Sequence, residues 1–221
     1  LRTRHELGYF RRLMLLKLAE SVFKREFNRL RRTLGETVAP LNDQYELQRL
    51  GHPYYNSRAG GGEGHLEVAK NIYYSNKDLA HMVLSLKPFG CMPSTQSDGA
   101  QAAVTAHYKD MIYLPIETSG EGAVNAYSRV QMALGEARTK ASEEFKQALG
   151  ACGYSLNEVR SFTADHPELR SPFFRIRHRK GVVGKAANYV LQVSELMRKE
   201  MKSRISLPTV TGGEVNAGSE S

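Results

Sequence analysis

Apolar residues between positions 5 and 34 recur in steps of three and four: Phe10, Leu13, Leu16, Val22, Phe23, Phe27, Leu30 and Leu34. That recurrence marks one face of a helix, and Gly35 supplies a stop. The spacing therefore predicts one long amphipathic helix filling residues 1–35. Its other face carries Arg11, Arg12, Lys17, Lys24, Arg25, Arg29, Arg31 and Arg32. Such a face is either a solvated helix surface or a contact for a polyanion.

The periodicity is lost over 36–62, which reads as mostly irregular chain ending in "NSRAGGGEGH". It returns as a helix on "LEVAKNIYYS" and then alternates in type. "HMVLSLKPFG" reads as a short buried strand and "STQSDGAQAAVTAHYKD" as a helix with Ser94 or Thr95 as its N-cap. "MIYLPIET" reads as a second buried strand, and "GAVNAYSRVQMALGEARTKASEEFKQALG" as a long helix ending at Gly150. Helices and strands alternating at this spacing predict an α/β class: a Rossmann-like parallel sheet flanked by helices over 36–150. In such sheets functional groups gather beyond the C-terminal ends of the strands. Cys91 falls just past the first strand, Glu117 and Thr118 just past the second. The remainder reads as a helical extension over 151–206, built on "VVGKAANYVLQVSELMRKEMKSRI", and a disordered tail over 207–221.

With 221 residues and 41% hydrophobic content, the chain can bury one substantial core, or one domain with appendages. The formal charge of +8 suits nucleic acid, an acidic membrane face or a phosphate-bearing cofactor, and selects none of them. The cluster "RIRHRK", with Arg175, Arg177 and Arg179, points toward nucleic acid. No aromatic-interleaved RNA motif, zinc spacing or helix-turn-helix pattern accompanies it, so the sequence argues against that partner. Two cysteines make no disulfide framework and point to a reducing, cytoplasmic compartment. No apolar run approaches the roughly 20 residues that span a bilayer, and "LMLLKLA" is broken by Lys17. The chain opens on Leu, and the expectation is a C-terminal part of a longer polypeptide. Neither a Walker loop nor an actin-like phosphate loop is present, so no ATPase activity is expected of this segment.

Two stretches carry candidate chemistry. Gly61, Gly62 and Gly64 precede a helix, where free backbone N–H groups and the helix dipole favour an anion; a plain flexible loop is the alternative. The second stretch is "LKPFGCMPSTQSDG", which holds Cys91 between a glycine and a Met–Pro pair. A lone cysteine cannot build a metal centre, since an iron–sulfur cluster takes about four thiolates. Cys152, in "LGACGYS", has no C-x-x-C companion. Three readings of Cys91 stay open: a buried apolar thiol, a ligand completed from elsewhere, or a nucleophile activated by the helix N-terminus.

"GGEGHLEVAKNIYY", "MVLSLKPFGCMPSTQSDGA" and "MIYLPIETSGEGAVNAYSRVQMALGEA" together resemble the C-terminal α/β region of the 2-hydroxyacyl-CoA dehydratases and the acyl-CoA dehydratase activase-related proteins, over about residues 50–140. That family shows a strand ending in a Pro–Phe–x–Cys–Met–Pro turn, then a strand of the "IPxLxIExD" kind, then a helix opening with an arginine. This chain supplies "PFGCMP", "IYLPIET" and "YSRVQMAL" in that order. The resemblance implies Rossmann-like domains and a 4Fe–4S cluster bound by cysteines from different parts of the chain. Cys91 would be the C-terminal ligand, the others lying outside this chain. Glu117 matches the acidic end of the second strand and Arg129 the family's arginine; Thr118 stands where relatives carry an acid. The implied partners are the upstream part of the same polypeptide or a partner subunit, an ATP-dependent activator that injects one electron, and an acyl-CoA. The implied activity is radical dehydration of a 2-hydroxyacyl thioester or electron transfer to it. The alternatives are a non-catalytic α/β subunit or interaction module in which Cys91 is structural and, behind it, a basic nucleic-acid-binding protein.

Overall fold

The computed structural model describes residues 2–59, 62–118 and 122–206. Gly61 and the tail 207–221 therefore lie outside the described residues. The long helix is present as α1, Arg2–Thr33. It ends at Gly35, whose φ of 63° is a left-handed conformation that glycine adopts freely.

The segment 36–62 is not wholly irregular. A short helix, α2 (Gln44–Gly51), starts at Asp43, whose carboxylate accepts the Tyr45 N–H at 2.9 Å. Eight residues hold too few turns for periodicity to register, yet an Asp cap before a polar–apolar alternation was a usable signal. Gly51 lets α2 lie against α3 (Gly64–Asn76); a Cβ there would stand 2.9 Å from that of Ala69.

Beyond α3 the chain forms a β–α–β unit. Strand β1 (Met82–Pro88) leads into α4 (Met92–His107), and β2 (Ile112–Thr118) returns beside β1 in parallel. The register sets Leu84 opposite Leu114 and Lys87 opposite Glu117. Among the described residues the sheet has these two strands, so the architecture is mixed α/β with seven helices and a small parallel sheet. Helices α3 and α4 pack together on one side, around Val68, Ile72 and Val104. Helix α5 (Ala123–Cys152) packs on the other side, chiefly over β2.

Three boundaries differ from the sequence reading. Cys91 itself, rather than Ser94 or Thr95, is the N-cap of α4. Pro93, early in the helix, has its φ preset for helical geometry, and both the Thr95 amide and its hydroxyl bond the Cys91 carbonyl at 2.9 and 3.0 Å. Helix α5 continues past Gly150 to Cys152 because the left-handed residue that ends it is Gly153, at φ 73°. Glu117 and Thr118 close β2 rather than follow it. The first strand is also not buried on both faces: Leu84 and Leu86 are exposed, because two strands give α5 a sheet it covers mainly at β2.

The end of α5 joins a second core with α6 (Leu156–Asp165) and α7 (Lys185–Ser206), built on Cys152, Val159, Leu169, Val190 and Val193. Helix α6 is announced by a capping box: Ser155 accepts the Glu158 N–H at 3.2 Å while Glu158 accepts the Ser155 N–H at 2.7 Å. Cys152, 1% exposed, is a core thiol in this cluster. Three side chains of "RIRHRK" are engaged. Arg175 pairs with Glu36, Arg179 with Glu195 at 2.8 Å, and the His178 ring meets the Asp78 carbonyl at 2.8 Å. No helix among the described residues is long and apolar enough to cross a membrane.

Candidate functional site: the cysteine turn

Strand β1 ends in a tight turn. The Cys91 amide bonds back to the Pro88 carbonyl at 3.2 Å, and Gly90 between them sits at φ 70°. The turn is tied to the second strand, because the Gly90 N–H donates to Glu117 Oε1 at 3.4 Å and the Thr118 hydroxyl donates to the Lys87 carbonyl at 3.0 Å. Cys91 and Glu117, singled out separately in the sequence, are thus brought to one end of the sheet.

The glycine loop meets the same turn from the other side. A Cβ on Gly62 would fall 2.3 Å from Pro93 Cγ, and its φ of 139° is closed to ordinary side chains. A Cβ on Gly64 would fall 2.9 Å from the Pro93 carbonyl. Close approach to Pro93 accounts for glycine at both positions. Arg129 stands apart, donating to the Pro115 carbonyl on β2 at 3.0 Å, where it braces the strand.

Cys91 is half-buried, and its sulfur accepts the Ser94 hydroxyl at 3.3 Å. Donation from the Ser94 side chain and backbone holds the thiol below its ordinary range. Partial burial and the Glu67 carboxylate push it up, and Lys87 pulls it down. These groups belong to a polar cluster beneath the turn that the sequence reading missed. Lys87 is 5% exposed and ion-pairs with Asp98 on α4. Glu67 on α3 accepts the Ser85 hydroxyl from β1, the Tyr113 hydroxyl from β2 at 3.0 Å and the Ser97 hydroxyl from α4 at 2.6 Å. Burial pushes the Tyr113 phenol up, so it remains a donor to that carboxylate. The signal for this cluster was available: Ser85 and Lys87 are the polar half of a period-two strand, so they share a face.

The chain next to Cys91 in sequence carries exposed apolar side chains. Phe89 is 74% exposed, Met92 70% and Leu86 65%. The arrangement therefore presents a polarised thiol at a helix N-terminus, supported below by a charged network, with exposed apolar side chains in the adjoining strand end and turn. Chemically it offers one soft ligand. Among the described residues no group of three or more His, Cys, Asp or Glu side chains could hold a metal ion. No family model, curated protein or solved structure matches the chain.

Proposed function

We propose that this chain is an iron–sulfur component related to the 2-hydroxyacyl-CoA dehydratases and their activase-related proteins, with Cys91 supplying one thiolate to a 4Fe–4S cluster. The remaining ligands come from a partner subunit or from other parts of the same polypeptide. The observation that carries this reading is the state of the Cys91 sulfur, which accepts a hydroxyl hydrogen bond at a helix N-terminus. Donors to the sulfur are what tune a cluster-bound thiolate. The residues fit the group to that extent: one thiolate donor, oriented by the β1 turn, with Ser94 as its donor and Lys87 as a nearby cation.

When bound, such a cluster supplies one-electron transfer. The chain's own residues do the positioning. The Glu67 hub locks α3, α4 and both strands together, and the Gly90–Glu117 contact fixes the turn. The finer fold reading belongs with this function: the two strands form one β–α–β unit of a larger Rossmann-like sheet.

The test is iron and acid-labile sulfide, with an absorption spectrum, on the anaerobically purified full-length protein or complex and its Cys91→Ser variant. The expected result is a cluster that the variant loses. Equal iron and an unchanged spectrum in the variant, or no cluster in the wild type after anaerobic reconstitution, sinks the reading. The second reading, a non-catalytic α/β module, is favoured by the lack of a multi-ligand group among the described residues. It predicts that Cys91→Ser changes nothing but thiol chemistry.

A further inference from the structure

Among the described residues, α1 is uncovered along most of its length. Every described side chain from Gly8 to Thr33 is exposed except Phe27 and Arg31. At about 1.5 Å per residue, a 32-residue helix runs about 48 Å. Its apolar positions are ordered. Tyr9, Leu13, Leu16, Glu20, Phe23, Phe27, Leu30 and Leu34 follow one another in alternating steps of four and three. That is the seam of a helix built to pack lengthwise on another helix, with one acidic residue set into it.

The charge beside the seam selects the occupant. Residues 2–33 hold ten of the chain's 31 lysines and arginines and three of its 23 acids, a net +7 within a total of +8. Lys17, Lys24 and Arg31 each follow a seam residue by one position and form a basic flank; Lys24 also pairs with Glu20, and Arg31 with Glu36 at 3.6 Å. A second copy fits poorly. Parallel pairing sets Glu20 against Glu20 and Arg12 beside Lys17, against one opposite-charge contact, Glu26 beside an Arg31 already engaged with Glu36. Antiparallel pairing sets the basic flank against itself. A membrane surface also fits poorly, because an interfacial helix needs one wholly polar face. Here Phe10, Met14, Leu15, Leu18 and Val22 lie off the seam and are exposed too. Interspersed with Arg11, Arg12 and Lys17, they leave the N-terminal half of α1 without the uninterrupted polar face that lies against water when a helix rests on a membrane.

We infer that α1 is a docking helix for a helical partner whose own apolar seam is flanked by Asp and Glu. The acidic flank answers Lys17 and Lys24, and the width of the apolar surface toward the N-terminal end of α1 lets the partner wrap it. This inference stands on α1 alone and is independent of the chemistry of Cys91.

The test uses the full chain and two synthetic four-heptad peptides with Leu at the seam positions, one with Glu and one with Lys at the flanks. Isothermal titration should show one acidic peptide per chain, with affinity falling at least tenfold between 50 and 500 mM salt. Lys17→Glu with Lys24→Gln should lose at least tenfold for the acidic peptide and gain affinity for the Lys peptide. Leu16→Ala with Phe23→Ala should weaken binding without changing the salt dependence. Circular dichroism confirms that both variants stay helical. Equal binding of the two peptides, or binding of neither, overturns the inference. So does a salt-resistant dimer in sedimentation that excludes the acidic peptide. Tighter binding to phosphatidylserine vesicles or to a single-stranded oligonucleotide than to the acidic peptide overturns it as well.

Discussion

Glu67→Ala removes one acceptor from three hydroxyl donors on three different elements. A hydrogen bond to a charged group contributes about 1.5–3 kcal/mol. Ser97 loses least, because its hydroxyl also bonds the Ser94 carbonyl at 2.8 Å. Ser85 and Tyr113 both donate to Oε1 and lose their charged acceptor. Two such bonds, each partly reached by solvent, set the expected cost at the low end of their sum, about 3 kcal/mol. Glu67→Gln separates this account from a mere packing defect. Its carbonyl oxygen can keep both Ser85 and Tyr113, while its amide N–H faces Ser97 Oγ, which is free to accept once its proton points to Ser94. The amide variant should therefore cost only about 1 kcal/mol. Urea unfolding, followed by circular dichroism and by tyrosine fluorescence since the chain has no tryptophan, gives both values. An alanine variant within about 0.5 kcal/mol of wild type, or a glutamine variant as damaged as the alanine one, refutes the hub.

Alkylation of Cys91 by iodoacetamide, mapped by mass spectrometry, should extend below the ordinary thiol pH range, and Ser94→Ala should move the profile up toward that range. A folded thiol value below the unfolded one adds stability above the ordinary thiol range, and that stability is lost as pH falls through the folded value. Cys152, buried in the second core, should stay unmodified until the chain unfolds; equal labelling of both cysteines under native conditions contradicts the structure. Gly62→Ala should cost at least about 1 kcal/mol, from a left-handed backbone and the Pro93 contact. Gly99→Ala, in α4 with open space around it, should instead stabilise by about 0.5–1 kcal/mol. Urea midpoints that rank the two glycine variants the other way would break this account of the loop.

Elements with enough turns, or an apolar run bounded by turn residues, were legible in the sequence: α1, α3, α4, α5, α7 and both strands. The helices that periodicity passed over, α2 and α6, are held by their caps, Asp43 and the Ser155–Glu158 box, which act at single positions and leave no period. The site was legible as a place but not as a network. Strand order alone put Cys91 and Glu117 beyond the same sheet end. Nothing local could join Glu67 to Ser97 and Tyr113, which lie 30 and 46 residues away in sequence. The sequence also did not show that Gly62 and Gly64, before and at the start of α3, make room for the ring and carbonyl of Pro93.

The exposed apolar side chains next to Cys91 in the turn bear on how the proposed cluster would be held. A partner covering Phe89 and Met92, which lie beside Cys91 in the turn and at the start of α4, would desolvate the sulfur, and desolvation disfavours the thiolate. An inert thiol under such a cover needs neither the helix N-terminus nor the Ser94 donor. A nucleophile under it would be shut away from its substrate. A thiolate bound to a metal tolerates the cover, because the cation's charge offsets the lost hydration. Cover and thiolate are thus compatible in the proposed cluster and in conflict for a nucleophile, while a covered inert thiol simply stays protonated. Phe89→Asp with Met92→Asp tests that linkage. Both side chains are exposed, so the urea midpoint of this chain should move by no more than about 0.5 kcal/mol. In the full-length protein or complex the same pair should strip the cluster, read as lost iron and lost absorbance. Iron retained in full would mean that these side chains cover nothing the cluster needs.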